Sequence, residues 1–367
     1  MKHIHKEELY IRLDRLSDQL FDNDSLFFDI ETTGFSPSHS TIYLIGCAHR
    51  KDDKIYVDQF FAENPNEEVE ILSAFLTLLT SYTTLISFNG VGFDIPFMKA
   101  KCTACNLPDN FRNFEYLDIF KQVSSLKFLL KLPNYKQKTI EDFLGLSRDD
   151  CYSGGELINV YHDYIRMPDI EKEELLLLHN YEDVIGMMEL LPVLSYLEVF
   201  HGQYSVTETR LQEYRTVDGA TGREFIITLT NDYPVPKRVS YQIHDFYMIM
   251  KGALTTIRIP VFEGELRFFY SNYKDYYYLP AEDMAIHKSV AGYVDKGYRE
   301  NARAANCYTR KIGTFLPQYS EIMNPEFRKE YKDKVSYFEL TDDFSSSDIM
   351  LRRYVDHIFK LLTPVQS

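Results

Sequence analysis

The sequence predicts an α/β sandwich over roughly the first 200 residues, followed by a β-rich α+β half. Three observations predict it. Short apolar runs of aromatic and branched residues come first, led by LFFDIE at 26–31. Amphipathic stretches then alternate with a further apolar run at 84–88, an order that lays helices against a sheet. After about residue 203 the texture becomes alternating and Tyr-rich, with segments that turn like hairpins. This organisation gives an N-terminal helix within 1–23, an α/β domain at 24–202 and a C-terminal domain at 203–367.

Residues 5–22 read as a surface helix, because Leu9, Ile11, Leu13, Leu16 and Leu20 form an approximate stripe among charges. The strand at 26–31 takes partners at 41–48 (TIYLIGCA) and 54–60 (KIYVDQF), joined by a turn at Asp52 and Asp53. Residues 67–79 form an amphipathic helix, and 84–88 a buried strand that breaks through FNGVGFDIPF into a loop and helix. Helices follow at 121–128, 139–144 and 158–165, and a long one at 171–200. In the second half, FEGE (262–265) makes a hairpin turn, and helices cover 282–294 and 348–362.

Composition excludes several classes. A 45% apolar share rules out disorder and fibrous repeats. No apolar run approaches the ~18 residues of a membrane span, and MKHIHKEELYIRLDRL is too charged for a signal peptide. Five Cys, an odd number, fit a reducing compartment, so the expected location is the cytoplasm. Residues 1–200 hold 18 basic and 33 acidic side chains, which accounts for the whole net charge of −15. That half is no simple basic nucleic-acid binder, since gripping phosphate without a metal needs Lys and Arg.

Three acidic segments carry the chemistry. In DIE, Asp29 and Glu31 sit at i and i+2 of a strand and share a face, while Phe28 and Ile30 point into apolar packing. Unpaired carboxylates so placed are costly unless they bind a cation. In FNGVGFDIPFM, Gly90 and Gly92 permit tight backbone geometry, Pro96 suits the first turn of a helix, and Asp94 reads equally well as an N-cap. In LLLLHNYEDVIGMMEL, His179 and Asp183 share a helix face in apolar surroundings. Asp29, Glu31, Asp94 and Asp183 together are four hard oxygen donors, a set that suits Mg²⁺ or Mn²⁺. Two such ions ~3.5–4 Å apart clamp the attacking and leaving oxygens of a phosphodiester, and an imidazole near neutrality can take a proton from water.

FFDIETTGF, SFNGVGFDIPFM and HNYEDV, in that order, resemble the three exonuclease motifs of the DEDD (DnaQ-like) 3′→5′ exonuclease superfamily. The segment LPNYKQKTIEDFLGLSRDDCYSGGELINVYHDYI, with its NYK, LG, R-D-D, G and Y in order, is similar to the YprB-like branch. The resemblance covers about 24–195 and implies a ribonuclease H-like fold, a mixed central sheet flanked by helices. It implies that Asp29, Glu31 and Asp183 bind the catalytic metal, that Asp29 and Asp94 reach a second, that Glu31 touches the terminal 3′-hydroxyl, and that His179 orients or deprotonates the water. One departure is plain. The superfamily places Tyr four residues before the last Asp or His five before, whereas His179 lies four before Asp183, and Tyr181 only two. The implied activity is metal-dependent 3′→5′ hydrolysis of DNA or RNA. The alternatives are a catalytically weak or inactive nucleic-acid-binding or scaffold protein, and an endonuclease with the same metal site.

The C-terminal half adds candidate nucleic-acid contacts. Lys288, Lys296, Arg299, Arg303, Arg310 and Lys311 are candidates to meet phosphates, and Tyr276, Tyr277, Tyr278, Tyr293 and Tyr298 to stack bases, with a Tyr-rich β core as the structural alternative. Asn89, beside the second motif, is counted with the nucleic-acid contacts. Cys102 and Cys105 form a lone CxxC, too little for a zinc site. His3 and His5 read as exposed and without a role.

Overall fold

A computed structural model of the chain describes residues 1–8, 13–51, 54–147, 152, 154–215, 219 and 221–362. Leu9 and Ile11 of the N-terminal stripe, the turn residues Asp52 and Asp53, and Arg148, Asp149 and Asp150 of the spacer lie outside the described residues. The described chain divides into two compact units. The first holds residues 1–201 with 233–237, the second 202–232 and 238–367.

The first unit is built on six strands: β1 (Lys2–Glu8), β2 (Ser25–Thr32), β3 (Ile42–Lys51), β4 (Lys54–Phe61), β5 (Thr84–Ser87) and β6 (Glu115–Asp118). They form one mixed sheet in the order β1-β4-β3-β2-β5-β6. The first four strands pair antiparallel, and β5 and β6 add in parallel beside β2. Its helices are α1 (Arg15–Leu20), α2 (Glu68–Leu79), α3 (Asp94–Ala104), α4 (Ile119–Ser124), α5 (Lys127–Leu130), α6 (Gln137–Leu144), α7 (Gly154–Arg166), α8 (Ile170–Leu190) and α9 (Ser195–Phe200). Strand alternation sends Phe28, Ile30, Ile45, Cys47 and Phe60 into one core with Ile71 and Phe75 of α2 and Phe97 and Met98 of α3. Tyr43, Leu44 and Phe61 join a second core with Leu157 and Tyr161 of α7 and Leu176 of α8.

The N-terminal helix is corrected. Lys2–Glu8 is an edge strand in register with β4, and only Arg15–Leu20 is helical. Its charged side chains mimic a solvated helix because an edge strand buries little. His3 and His5 are exposed, as expected, but they are not idle: each hydrogen-bonds Asp58 of β4 at 2.7 Å. The helix at 121–128 is two short ones, and that at 171–200 breaks into a 3₁₀ turn at Leu191–Leu194, where Pro192 lacks an amide hydrogen. Asp94 does not cap α3. It is the first helical residue, and its carboxylate turns back to the sheet.

The second unit continues with β7 (Tyr204–Arg215), β8 (Thr221–Ile243), β9 (Phe246–Pro260), β10 (Phe262–Phe269), β11 (Tyr276–Leu279), β12 (Met284–His287), β13 (Glu300–Asn301), β14 (Tyr308–Gln318) and β15 (Ser336–Glu339), then α10 (Asp342–Ser346) and α11 (Asp348–Leu362). Residues 233–237 of β8 group with the first unit. Three three-stranded sheets result, ordered β7-β8-β9, β10-β14-β15 and β12-β11-β13. The expected helix at 282–294 is instead β12 and a 3₁₀ turn, because Met284–His287 pairs with the Tyr-rich β11. FEGE is the start of β10, paired with β14, rather than a turn.

Candidate metal centre

The site grows from β2 and the two helices that reach its C-terminal half. Asp29 and Glu31 share the face of the sheet opposite the Phe28–Ile30 core. Between them, the Ile30 amide donates to Asp94 Oδ1 at 3.2 Å, which fixes the start of α3 against β2. The loop before α3 is fastened by a residue that sequence reasoning missed. Asp118, at the end of β6, accepts from the amides of Asn89 (3.0 Å) and Val91 (3.2 Å), and from that of Lys121 (3.1 Å) as the N-cap of α4. Asn89 itself is exposed in a left-handed conformation (φ 64°), which Asn tolerates better than most residues.

From α8, His179 Nε2 lies 3.4 Å from Glu31 Oε1 and 3.3 Å from Asp183 Oδ2. One ligand atom from each of Glu31, His179 and Asp183 falls within 4.8 Å of the others. Tyr43 Oη donates to Glu31 Oε2 at 3.5 Å. Tyr181 faces elsewhere, with the Lys6 ammonium 4.7 Å above its ring. On a helix, two residues correspond to roughly 200° of rotation, so His179 and Tyr181 do not share a face.

The neighbour of His179 is the second residue that sequence reasoning missed. Asn180 is fully buried, its Nδ2 donates to Asp29 Oδ2 at 3.0 Å, and its Oδ1 accepts from Gln59 Nε2 at 3.0 Å. Asp29, Gly46 and Gln59 are paired across three strands, and the Asn180 carboxamide lies over Gly46. A Cβ at position 46 would sit 2.0 Å from Asn180 Oδ1, so this close approach requires glycine. Gln137 of α6 donates to the Asp183 carbonyl at 2.8 Å and ties the same turn of α8 down. A buried Asn beside the His in HNYED, and a Gly amid the apolar TIYLIGCA, were the available signals.

Crowded, largely buried carboxylates repel one another. Asp29, partly open to solvent, is pushed well above the ordinary carboxylate range, first by burial and then by Asp183, Asp94 and Glu31, against a lowering from the Asn180 amide. Burial drives Glu31 up to about 8; His179 pulls it down, and Asp183 and Asp94 push it up. Asp94 rises to about 7, chiefly by burial, against the lowering effect of the Ile30 amide. Concentrated oxygen donors that resist ionisation for want of positive charge fit a divalent cation.

Lys288, Lys296, Arg299 and Arg303 belong to the second unit. Lys288 Nζ and the Arg299 guanidinium lie 5.3 and 4.7 Å from the Tyr277 ring centroid, while Lys296 and Arg303 are exposed. Among the described residues, no helix is long and apolar enough to cross a membrane.

Comparison with known proteins follows the first unit. Residues 26–195 match the family model described as the RNase_H superfamily. Over 172 residues the chain is 29% identical to the uncharacterised protein YprB of Bacillus subtilis (strain 168), covering 46% of this chain and 41% of YprB. The chain thus spans less than half the length of that relative. The family B DNA polymerase of Pyrobaculum calidifontis aligns with 47% of this chain and 25% of its own, at 16% identity and a TM-score of 0.38. Escherichia coli exonuclease I in complex with single-stranded DNA aligns with 56% of this chain and 54% of its own, at 12% identity and a TM-score of 0.31. The six-stranded mixed sheet and its flanking helices make the first unit ribonuclease H-like in fold, and its residues 26–195 match the RNase_H superfamily model and are similar in sequence to YprB.

Proposed function

We propose that the chain is a metal-dependent nuclease that hydrolyses DNA or RNA phosphodiesters from the 3′ end. The observation that carries this reading is the gathering of Asp29, Glu31, Asp94, His179 and Asp183 from β2, α3 and α8 at one place on the sheet. Asp29, Glu31, Asp94 and Asp183 would hold two Mg²⁺ or Mn²⁺ ions. Those ions, when bound, supply positive charge to the attacking and leaving oxygens of the phosphodiester.

The chain's own residues do the rest. Asn180 orients the Asp29 carboxylate and the Ile30 amide orients that of Asp94, so neither depends on the ion for its placement. His179, held between Glu31 and Asp183, is positioned to accept the proton of the attacking water at an imidazole nitrogen. Glu31 would meet the 3′-hydroxyl. We further propose that residues 203–367 act as a separate domain. There, exposed Lys296 and Arg303 contact phosphates, and Lys288 and Arg299 brace Tyr277 as a stacking surface. Asn89 would contact the nucleic acid beside the metals. The described cysteines are free thiols, which supports a cytoplasmic setting.

The test is digestion of 3′- and 5′-labelled oligonucleotides with Mg²⁺ or Mn²⁺ beside the Asp29→Ala variant. Mononucleotide release from the 3′ label, lost in the variant, is the expected result. Equal activity or equal inertness of the two proteins would overturn the reading, and cleavage of a circular substrate would make the enzyme an endonuclease.

A further inference from the structure

A second constellation lies on the opposite face of the same sheet. Across β1, β4 and β3, His5 pairs with Asp58 and Asp58 with Cys47. His3 is two residues from His5, and His49 two from Cys47, so the alternation of strands puts both on the face of Asp58. That face carries Cys47 and Phe60 and packs on α2 and α3, whereas Asp29 and Glu31 face α8.

Three imidazoles converge there on one buried carboxylate. His3 Nε2 and His5 Nδ1 each lie 2.7 Å from Asp58 Oδ1, and His49 Nε2 lies 2.9 Å from Oδ2. Asp58 is 4% exposed. The ligand atoms of His3, His5 and Asp58 fall within 4.8 Å of one another. Aromatic rings set each imidazole in place: His3 stacks on Phe60 at 4.6 Å, and His5 and His49 on Tyr56 at 5.2 and 5.6 Å. Two nitrogens and a carboxylate oxygen are a donor set for Zn²⁺ and chemically unlike the carboxylate-rich centre on the other face. Donors at roughly 2.0–2.1 Å from a tetrahedral ion lie about 3.3 Å apart, so each imidazole nitrogen need move from the Asp58 oxygen by only about half an ångström.

We propose that His3, His5 and Asp58 form a Zn²⁺ site that clamps the edge strand β1 to the sheet, with His49 holding the free carboxylate oxygen. An imidazole that orients a ligating carboxylate in this way strengthens metal binding by about 10–100-fold. A Zn²⁺ ion between β1 and β4 would cross-link two strands that otherwise meet at an exposed sheet edge.

The full chain, equilibrated with Zn²⁺ in excess Mg²⁺ and freed of unbound metal, should retain one zinc by elemental analysis. His3→Gln/His5→Gln should lose it while keeping its circular dichroism spectrum, Asp29→Asn/Asp183→Asn should keep it, and His49→Ala should bind about 10–100-fold more weakly. Co²⁺ in the unmutated chain should give the visible absorption of a tetrahedral ion and imidazole ligands by X-ray absorption, a readout that needs no variant to fold. Zinc retained by His3→Gln/His5→Gln, its loss from Asp29→Asn/Asp183→Asn alone, or Co²⁺ without imidazole ligation would each overturn the proposal. Because the readout is metal content, it stands apart from nuclease activity.

Discussion

Adding one methyl group at position 46 should cost the protein stability and activity together. In Gly46→Ala the new Cβ meets Asn180 Oδ1 at 2.0 Å, Cγ at 2.7 Å and Nδ2 at 2.9 Å, which no side chain accommodates without moving. The backbone at 46 is not left-handed, so alanine itself is tolerated there and the clash is with the carboxamide. Displacing Asn180 breaks its bonds to Asp29 and Gln59, although Gln59 keeps its bond to the Leu177 carbonyl at 2.8 Å. Overpacking costs roughly 1–3 kcal/mol and each lost hydrogen bond about 1 kcal/mol, offset by roughly 0.4–1 kcal/mol from the stiffer unfolded chain. The net loss is about 2–4.5 kcal/mol, or a fall in Tm of roughly 4–18 °C for a unit of this size. The decisive assay is a double-mutant cycle by urea denaturation. In an Asn180→Ala background the methyl has room, and Gly46→Ala should become neutral or slightly stabilising. Equal destabilisation in both backgrounds, or wild-type stability of the single variant, would refute the account of the carboxamide over glycine.

Four further outcomes follow from the same geometry. Without metal, Glu31 and Asp94 have folded pKa values of about 8 and 7, above the ordinary 4.5 and 3.8, so the folded state binds more protons between those limits. The contribution of these two groups to stability is therefore fullest below about pH 4 and is lost as pH rises to about 8, with Mg²⁺ flattening the decline; a metal-free melting series between about pH 5 and 8 checks the sign. Asp118→Ala should cost about 0.5–2 kcal/mol by uncapping α4 and should also lower activity, since it frees the amides of Asn89 and Val91 that set the loop before α3. His179→Ala should depress kcat by about 10²–10⁴-fold with little change in Mn²⁺ retention, whereas Tyr181→Phe should leave kcat unchanged; single-turnover assays distinguish the two. Replacing Lys296 and Arg303 by Ala should weaken oligonucleotide binding across all sequences and reduce the salt slope by about 1 per lost phosphate contact, as fluorescence anisotropy would read.

What the sequence revealed follows from how much each element buries. LFFDIE, TIYLIGCA and KIYVDQF are deep in the sheet, so their apolar runs are unmistakable, and the strands observed at 25–32, 42–51 and 54–61 bear this out. KHIHKEE and EYLD were hidden because β1 is a sheet edge and β6 has only four residues, and neither offers a long apolar period. The carboxylates of the candidate site were visible as acids inside apolar runs. Their supports were not, since Asn180, Gln59, Gly46 and Asp118 acquire meaning only when strand register and helix packing bring them beside Asp29 and the loop. Likewise His3, His5, His49 and Asp58 are spread over three strands, and only the pairing of β1 with β4 collects them. The acidic balance of the first 200 residues argued against a simple basic nucleic-acid binder when read as bulk charge, and bulk charge does not reveal that a few of those acids are gathered at one point on the sheet.

Anomalous diffraction from crystals of the full chain grown in Mn²⁺ tests the central claim most directly. The account predicts manganese peaks bonded to carboxylate oxygens of Asp29, Glu31, Asp94 and Asp183. Well-ordered crystals with those four side chains in place and no anomalous peak among them would contradict it.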